Sequence, residues 1–419
     1  MMKKVRFLYF LPLLTVLSVS CRDKVYRNYK SYQPVYTSVD DFRREAIFEA
    51  PRLLRKKGNI YYHERFLFIV EPNEGIHFID NSNPESPVKT GFLSIVGCSG
   101  LAIRGNYMYV SALIDLLVLD ISDLQNPKEI KRVEDVFPMA LPVKENNYPL
   151  ESVDRNLGVV TSWKVVEHKE DIEQDQMWIG CANCEVMTLN TSLQKSSGMS
   201  VGQAGSIAQM AIVNDYLYAM ENSVLNNFDL SNPSDPQEGE ELPLSWDVET
   251  LFPHEDKLFV GTTSGMMILS TENPAQPTKM GSIRHARACD PVVVQGEYAY
   301  VTIRSGGPCS GVSNQLDIID ISDCSSPMLM RSYQLKNPHG LGIDGKLLFV
   351  CDGKKGLKVF DATEPENAGD HLIKRFGQIQ ATDVILLGDV AILIGDDGLY
   401  QYDYSDPENI RLLSRIAFV

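Results

Sequence analysis

The chain predicts an all-β fold, a seven-bladed β-propeller of four-stranded blades, and three observations carry that prediction. An apolar run, an Asp and a polar turn that usually closes on proline recur seven times between Phe78 and Ile410. The marker positions Asp80, Asp120, Asp229, Ser270, Asp320, Asp361 and Asp403 lie 40, 109, 41, 50, 41 and 42 residues apart, a regular unit with one wide gap. Ahead of these markers stand paired short runs rich in β-branched and aromatic residues. A period of this length with several strands per unit is the signature of a closed radial array.

The first two strands of each unit show in LAIRGNYMYV from Leu101, MAIVNDYLYAM from Met210, VVVQGEYAYV from Val292 and ILLGDVAILIG from Ile385. Each pairs two half-buried runs around a Gly, Asn or Asp turn, which is hairpin chemistry. A glycine opens the third run at Gly75, Gly265, Gly356 and Gly398, and that run ends on the marker residue. A fourth run follows the turn, as in KTGFLSI from Lys89 and LLSRIAF from Leu412. Four strands in seven units make a ring.

The repeated Asp is read as a turn residue. Its carboxylate is placed to accept the N–H two positions on, while proline presets the backbone beyond it. A calcium loop needs converging oxygen ligands, a sharp glycine and a terminal bidentate Glu. None of the units supplies that set, and no metal site is expected.

These residues resemble the LVIVD-repeat proteins, named for the same apolar-Asp motif and found largely among bacterial surface and secreted proteins. The resemblance spans roughly residues 56–419. It implies a β-propeller and brings no catalytic residues with it.

The N-terminus resembles a lipoprotein signal. Lys3, Lys4 and Arg6 precede an apolar stretch from Phe7 to Val19, and Cys21 follows Ser-Val-Ser. That pattern is a secretory leader with a thiol at the cleavage point. The departure is Ser18, where Leu is most usual. The expected organisation is a signal peptide over residues 1–20, a lipidated tether or linker over 21–55, and the propeller over 56–419. Lipid on Cys21 would place the protein in the bacterial cell envelope, at the outer membrane.

Charge separates the two parts. Residues 1–57 carry 13 Lys and Arg against 5 Asp and Glu, while the remainder carries 26 against 50. An acidic body repels phosphate backbones, which argues against nucleic acid as a partner. The basic stretch from Arg22 to Lys57 is read as a solvated linker, with contact to anionic headgroups as the alternative.

The wide gap between the second and third markers holds an insertion, residues 140–205. It contains a strand at Leu157 to His168, an acidic run, Cys181-Ala-Asn-Cys184 and a Ser/Gly/Gln stretch from Asn190 to Ser206 that reads as flexible linker. Long loops on rigid scaffolds are where binding collects. Cys181 and Cys184 are read as a structural disulfide or two thiols, with half a zinc site and a redox pair as the other readings. Cys309 and Cys324 flank the lengthened loop of the fifth unit and are expected to staple it.

Innermost strands line the channel of a propeller. Asp247, Asp290, His339 and Asp383 enter those strands at similar places in four units. As a set they are candidates to hold a cation or polarise water, or else to cap strand ends and hydrate the pore. No nucleophile elbow, zinc-protease helix motif or P-loop is present, and no cofactor is expected. The expected function is a surface-tethered binding propeller with a protein or glycan partner. The alternative is a propeller hydrolase or lyase centred on His339, Asp290 and Asp383.

Overall fold

The computed structural model describes residues 25–172, 203–207, 209–244, 248–284, 291–305 and 313–419, with side chains from Tyr26 and, in the ribbon strand, up to Glu170. Seven antiparallel sheets follow one another along the chain, each ordered from its first strand inside to its fourth outside. Blade 1 is built on Ile60–His63, Phe66–Glu71, Gly75–Asp80 and Val88–Ser94. Blade 2 runs from Cys98–Arg104 to Lys128–Val133 and blade 3 from Met210–Val213 to the paired stubs Gln237–Glu238 and Leu242–Pro243. Blades 4 to 7 open on Val248–His254, Val292–Gln295, Leu341–Asp344 and Ala381–Leu387, and the chain ends blade 7 on Arg411–Ala417.

The ring is closed by packing. Adjacent blades share one buried apolar cluster at every junction, from Phe68 against Val110 between blades 1 and 2 round to Phe349 against Leu393 between blades 6 and 7. The last junction joins Ile60, Leu67 and Ile69 of blade 1 to Ile385, Ile392 and Ile394 of blade 7. Each such side chain removed from water contributes about 1.5–3 kcal/mol. Asn81 and Gln401 add a reciprocal pair of amide hydrogen bonds, 2.9 and 2.6 Å, buried across this final seam.

Small features of the repeat explain its regularity. At Gly75 and Gly265 the backbone has φ of 145° and 147°, and a Cβ there would sit 2.0 Å from the carbonyl oxygens of Leu93 and Ile283 on the fourth strand. Only glycine permits that approach. In the turns, Asp80, Asp120, Asp229, Asp320, Asp361 and Asp403 each accept the N–H two residues on, at 2.7–3.0 Å. Ser270 makes the same bond at 3.3 Å. These bonds to Ser or Thr hold the six carboxyls below their ordinary pKa. The proline turns also rivet blades together: Tyr109 Oη donates to Pro233 O and Tyr218 Oη to Pro274 O, at 2.8 and 2.6 Å.

Two expectations about the periphery are corrected. Residues 25–49 are not a solvated linker. Val25–Thr37 pairs antiparallel with the insertion strand Val159–Ile172 along a two-stranded ribbon, and Ile47–Glu49 adds an outermost strand to blade 1. The end of the Ser/Gly/Gln stretch is not a free linker either, because Gln203–Ala204 adds an innermost strand to blade 1 beside Tyr61 and Tyr62. Alternating polar residues hid the first strand, and the second is too short to show a period. Among the described residues no helix is long and apolar enough to cross a membrane. The signal segment, Cys21, Cys181, Cys184, Cys309, Asp247 and Asp290 lie outside the described residues.

Candidate functional site

Antiparallel order puts the blade-to-blade links and the second-to-third-strand turns on one ring face, and the Asp turns on the other. The first face carries the insertion. Its outgoing limb crosses blade 1, where Asn73 exchanges two 3.0 Å bonds with the backbone of Val143. Trp163 donates to Pro142 O at 2.8 Å and packs against Tyr32, itself buried against Tyr148. Asn146 N donates to Tyr32 Oη, and Tyr32 bonds Pro149 and Glu151 through its backbone.

A polar clasp lies nearby. Ser31 Oγ stands 2.7 Å from Glu151 Oε1 and 2.7 Å from His168 Nε2, and Tyr29 stacks on His168 at 4.9 Å. Both partners meet the same imidazole nitrogen, which differs from a nucleophile relay, where base and orienting carboxylate bind opposite nitrogens. The arrangement fastens three segments. At the foot of the ribbon, Arg43 grips the fully buried Asp115 with two bonds of 2.9 and 3.0 Å and also reaches Glu134 and Asp135. Asp115 foremost, with Asp135, raises the Arg43 pKa against the effect of burial. Phe42, Leu113, Ile114 and Val159 form a separate apolar cluster at the ribbon foot.

The return limb enters the channel. Ser206 donates its N–H and its hydroxyl to Asp383 Oδ1, at 3.1 and 2.9 Å, and its Oγ accepts from Leu341 N at 2.8 Å. Asp383 is fully buried, its Oδ2 has no hydrogen bond among the described residues, and burial pushes its pKa up to about 7 against the bonds from Ser206. Gly205 and Gly340 close over it: a Cβ at either would lie 1.8 and 2.1 Å from the carboxylate. What remains is a cavity of about 90 Å³ with mostly apolar walls, including Phe252, Val293, Leu341 and Leu386.

His339 takes a different direction. Arg304 Nη1 lies 3.2 Å from its Nδ1, and the Asn337 side-chain amide lies 3.0 Å from Nε2. Burial first, then the charges of Arg304 and Lys57, push its pKa down to about 3, so the ring is neutral. The structure therefore separates two residues that the sequence grouped, since Asp383 faces Ser206 and His339 faces Arg304. Among the described residues no three His, Cys, Asp or Glu side chains converge as a metal site. Cys324 is a free thiol 3.3 Å from Ile321 O, and Cys98 and Cys351 are buried free thiols.

Ser206, Arg304 and the Arg43–Asp115 pair were missed from sequence. Ser206 meets a partner 177 residues away and Arg43 one 72 away, and no local spacing encodes either meeting. Arg304 carried one weak signal, a basic residue directly before the lengthened loop of the fifth unit.

Residues 98–135 and 286–334 match the LVIVD repeat. No curated protein matches the chain in sequence. Solved structures share its fold at low identity. A Lactobacillus plantarum protein has a TM-score of 0.53 at 10% identity, over 90% of this chain and 96% of that one. The periplasmic gluconolactonase PpgL of Pseudomonas aeruginosa has 0.50 at 9%, over 87% and 97%. The dihydro-heme d1 dehydrogenase NirN, solved with its ligand DHE, has 0.50 at 11%, over 92% and 80%. The chain thus carries LVIVD repeats in two blades of a complete seven-bladed β-propeller.

Proposed function

We propose that this propeller is a binding protein of the bacterial envelope, tethered through lipid on Cys21, which engages a protein or glycan partner with its ribbon-bearing face. The ribbon is the observation that carries this reading. It presents Tyr26, Val35 and Val165 to solvent, 47%, 39% and 44% exposed, on a strand pair anchored by Arg43 and Asp115. A rigid platform of exposed aromatic and apolar side chains suits recognition, because little ordering entropy is lost on contact. The hydrolase reading has less support. Asp383 is closed off by Ser206, and both ring nitrogens of His339 have partners.

The test compares the wild-type soluble form beginning after Cys21 with a Val35→Glu/Val165→Glu variant of equal melting temperature, in capture from envelope extracts. Loss of specific partners from the variant is the expected result. Identical capture by both would sink the assignment to the ribbon.

A further inference from the structure

The channel mouth between blades 5 and 7 carries a second feature, remote from the ribbon foot on blade 2. Arg304 is half-buried, yet its only side-chain hydrogen bond among the described residues goes to the imidazole of His339, 3.2 Å away. Arginine has no acceptor and keeps its protons, so it donates to Nδ1, while the Asn337 side-chain nitrogen lies 3.0 Å from Nε2. The His339 backbone is held where Thr302 Oγ1 donates to His339 O. Asn314 holds Ser305 through two bonds and so sets the base of the hairpin that presents Arg304.

Among the described residues, Asp352 and Asp396 are engaged elsewhere. Asp352 accepts the N–H groups of Lys336 and Asn337 at 2.9 and 2.7 Å and pairs with Lys358 at 2.9 Å. Asp396 pairs with Lys57, whose ammonium also reaches Thr382 Oγ1 at 3.0 Å. Glu249, buried in blade 4, attracts Arg304 through space, yet burial still outweighs it and lowers the Arg304 pKa. Lys57 and Arg304 both act on the His339 ring. Lys336, Lys355 and Arg375 stand exposed around the adjoining turn, and Arg375 donates to Lys355 O at 2.8 Å. In a propeller that is acidic overall, these five basic side chains stand on this part of the face.

We propose that Arg304, His339 and Lys57 form a subsite for an oxyanion, a carboxylate or phosphate group carried by the protein's ligand. The oxyanion accepts the guanidinium N–H groups that His339 leaves unused, and the ammonium of Lys57 lies within electrostatic range. A negative charge in this place reverses the field on His339 and raises its pKa. Binding therefore has a signature separate from any activity. Partner capture by the ribbon and oxyanion binding fail or hold independently.

The experiment follows the His339 imidazole by NMR, assigned through His339→Gln, during titration with inorganic phosphate and, separately, glucuronate. Glucose and potassium chloride at matched ionic strength are the controls. Saturable shifts with an upward move of the His339 pKa are expected, and Arg304→Gln weakens them by about tenfold or more, the scale of a charge-assisted hydrogen bond. Lys57→Gln, at an exposed position, supplies the same test should Arg304→Gln melt early. Response to phosphate alone assigns a phosphorylated ligand, and response to glucuronate alone an acidic sugar. Absence of saturation with both, or an equal response to chloride, overturns the subsite.

Discussion

Ser206 binds Asp383 twice through one carboxylate oxygen, joining the return limb of the insertion to the innermost strand of blade 7. The same hydroxyl accepts from Leu341 N of blade 6, while the neighbouring Gln203–Ala204 pairs with blade 1. A single short segment thus touches the blades on both sides of the final seam.

Ser206→Ala leaves Leu341 N without this acceptor and strips one donor from a buried carboxylate. Unsatisfied buried groups cost about 1–3 kcal/mol each. Urea unfolding of the variant is expected to show a loss in that range, and an unchanged midpoint would refute the role.

Asp383 also sets a pH dependence. Its folded pKa, about 7, lies above the ordinary carboxylate value of about 4, so the folded chain binds more protons than the unfolded chain between those limits. Stability therefore falls as pH rises through that window and levels off above it. Melting curves from pH 4 to 8 should show this slope in the wild type and a shallower one in Asp383→Asn.

Arg43→Ala leaves Asp115, whose side chain is wholly buried, with the Asp135 N–H at 2.9 Å and Arg132 at 3.4 Å. Breaking a buried ion pair on one side costs about 3–5 kcal/mol, and Arg132 moves the expectation to about 3. Limited proteolysis should then cut within residues 25–49 before the blades. Cleavage at wild-type rates would show that the ribbon is held by other contacts.

Asp120→Ala removes the 2.8 Å bond from Ser122 N in one turn of the repeat. The expected loss is about 1 kcal/mol, the net worth of one hydrogen bond. Ser270→Ala should cost less, since its bond is already 3.3 Å long. A larger effect at Ser270 than at Asp120 would contradict the turn account.

The fold was legible because its determinants are local. Asp80 bonds Ser82 and Asp120 bonds Ser122, two residues apart, so sequence spacing reports them directly. The face of the ring was not legible, because its determinants are distant. Tyr32 and Trp163 meet across 131 positions, and the interspersed polar residues of Val25–Thr37 resemble a solvated tether until the partner strand is known. Asp383 looked like a rim residue because its strand entry matches that of His339. Ser206, drawn from a stretch with linker composition, is what buries it.

The ribbon starts four residues after Cys21. Even fully drawn out, four residues reach about 14 Å, less than half the thickness of a bilayer's hydrocarbon core. With an acyl chain on that thiol, the ring does not drift on a long leash. It is the Val25 end of the ribbon that such an anchor would hold close to the headgroups.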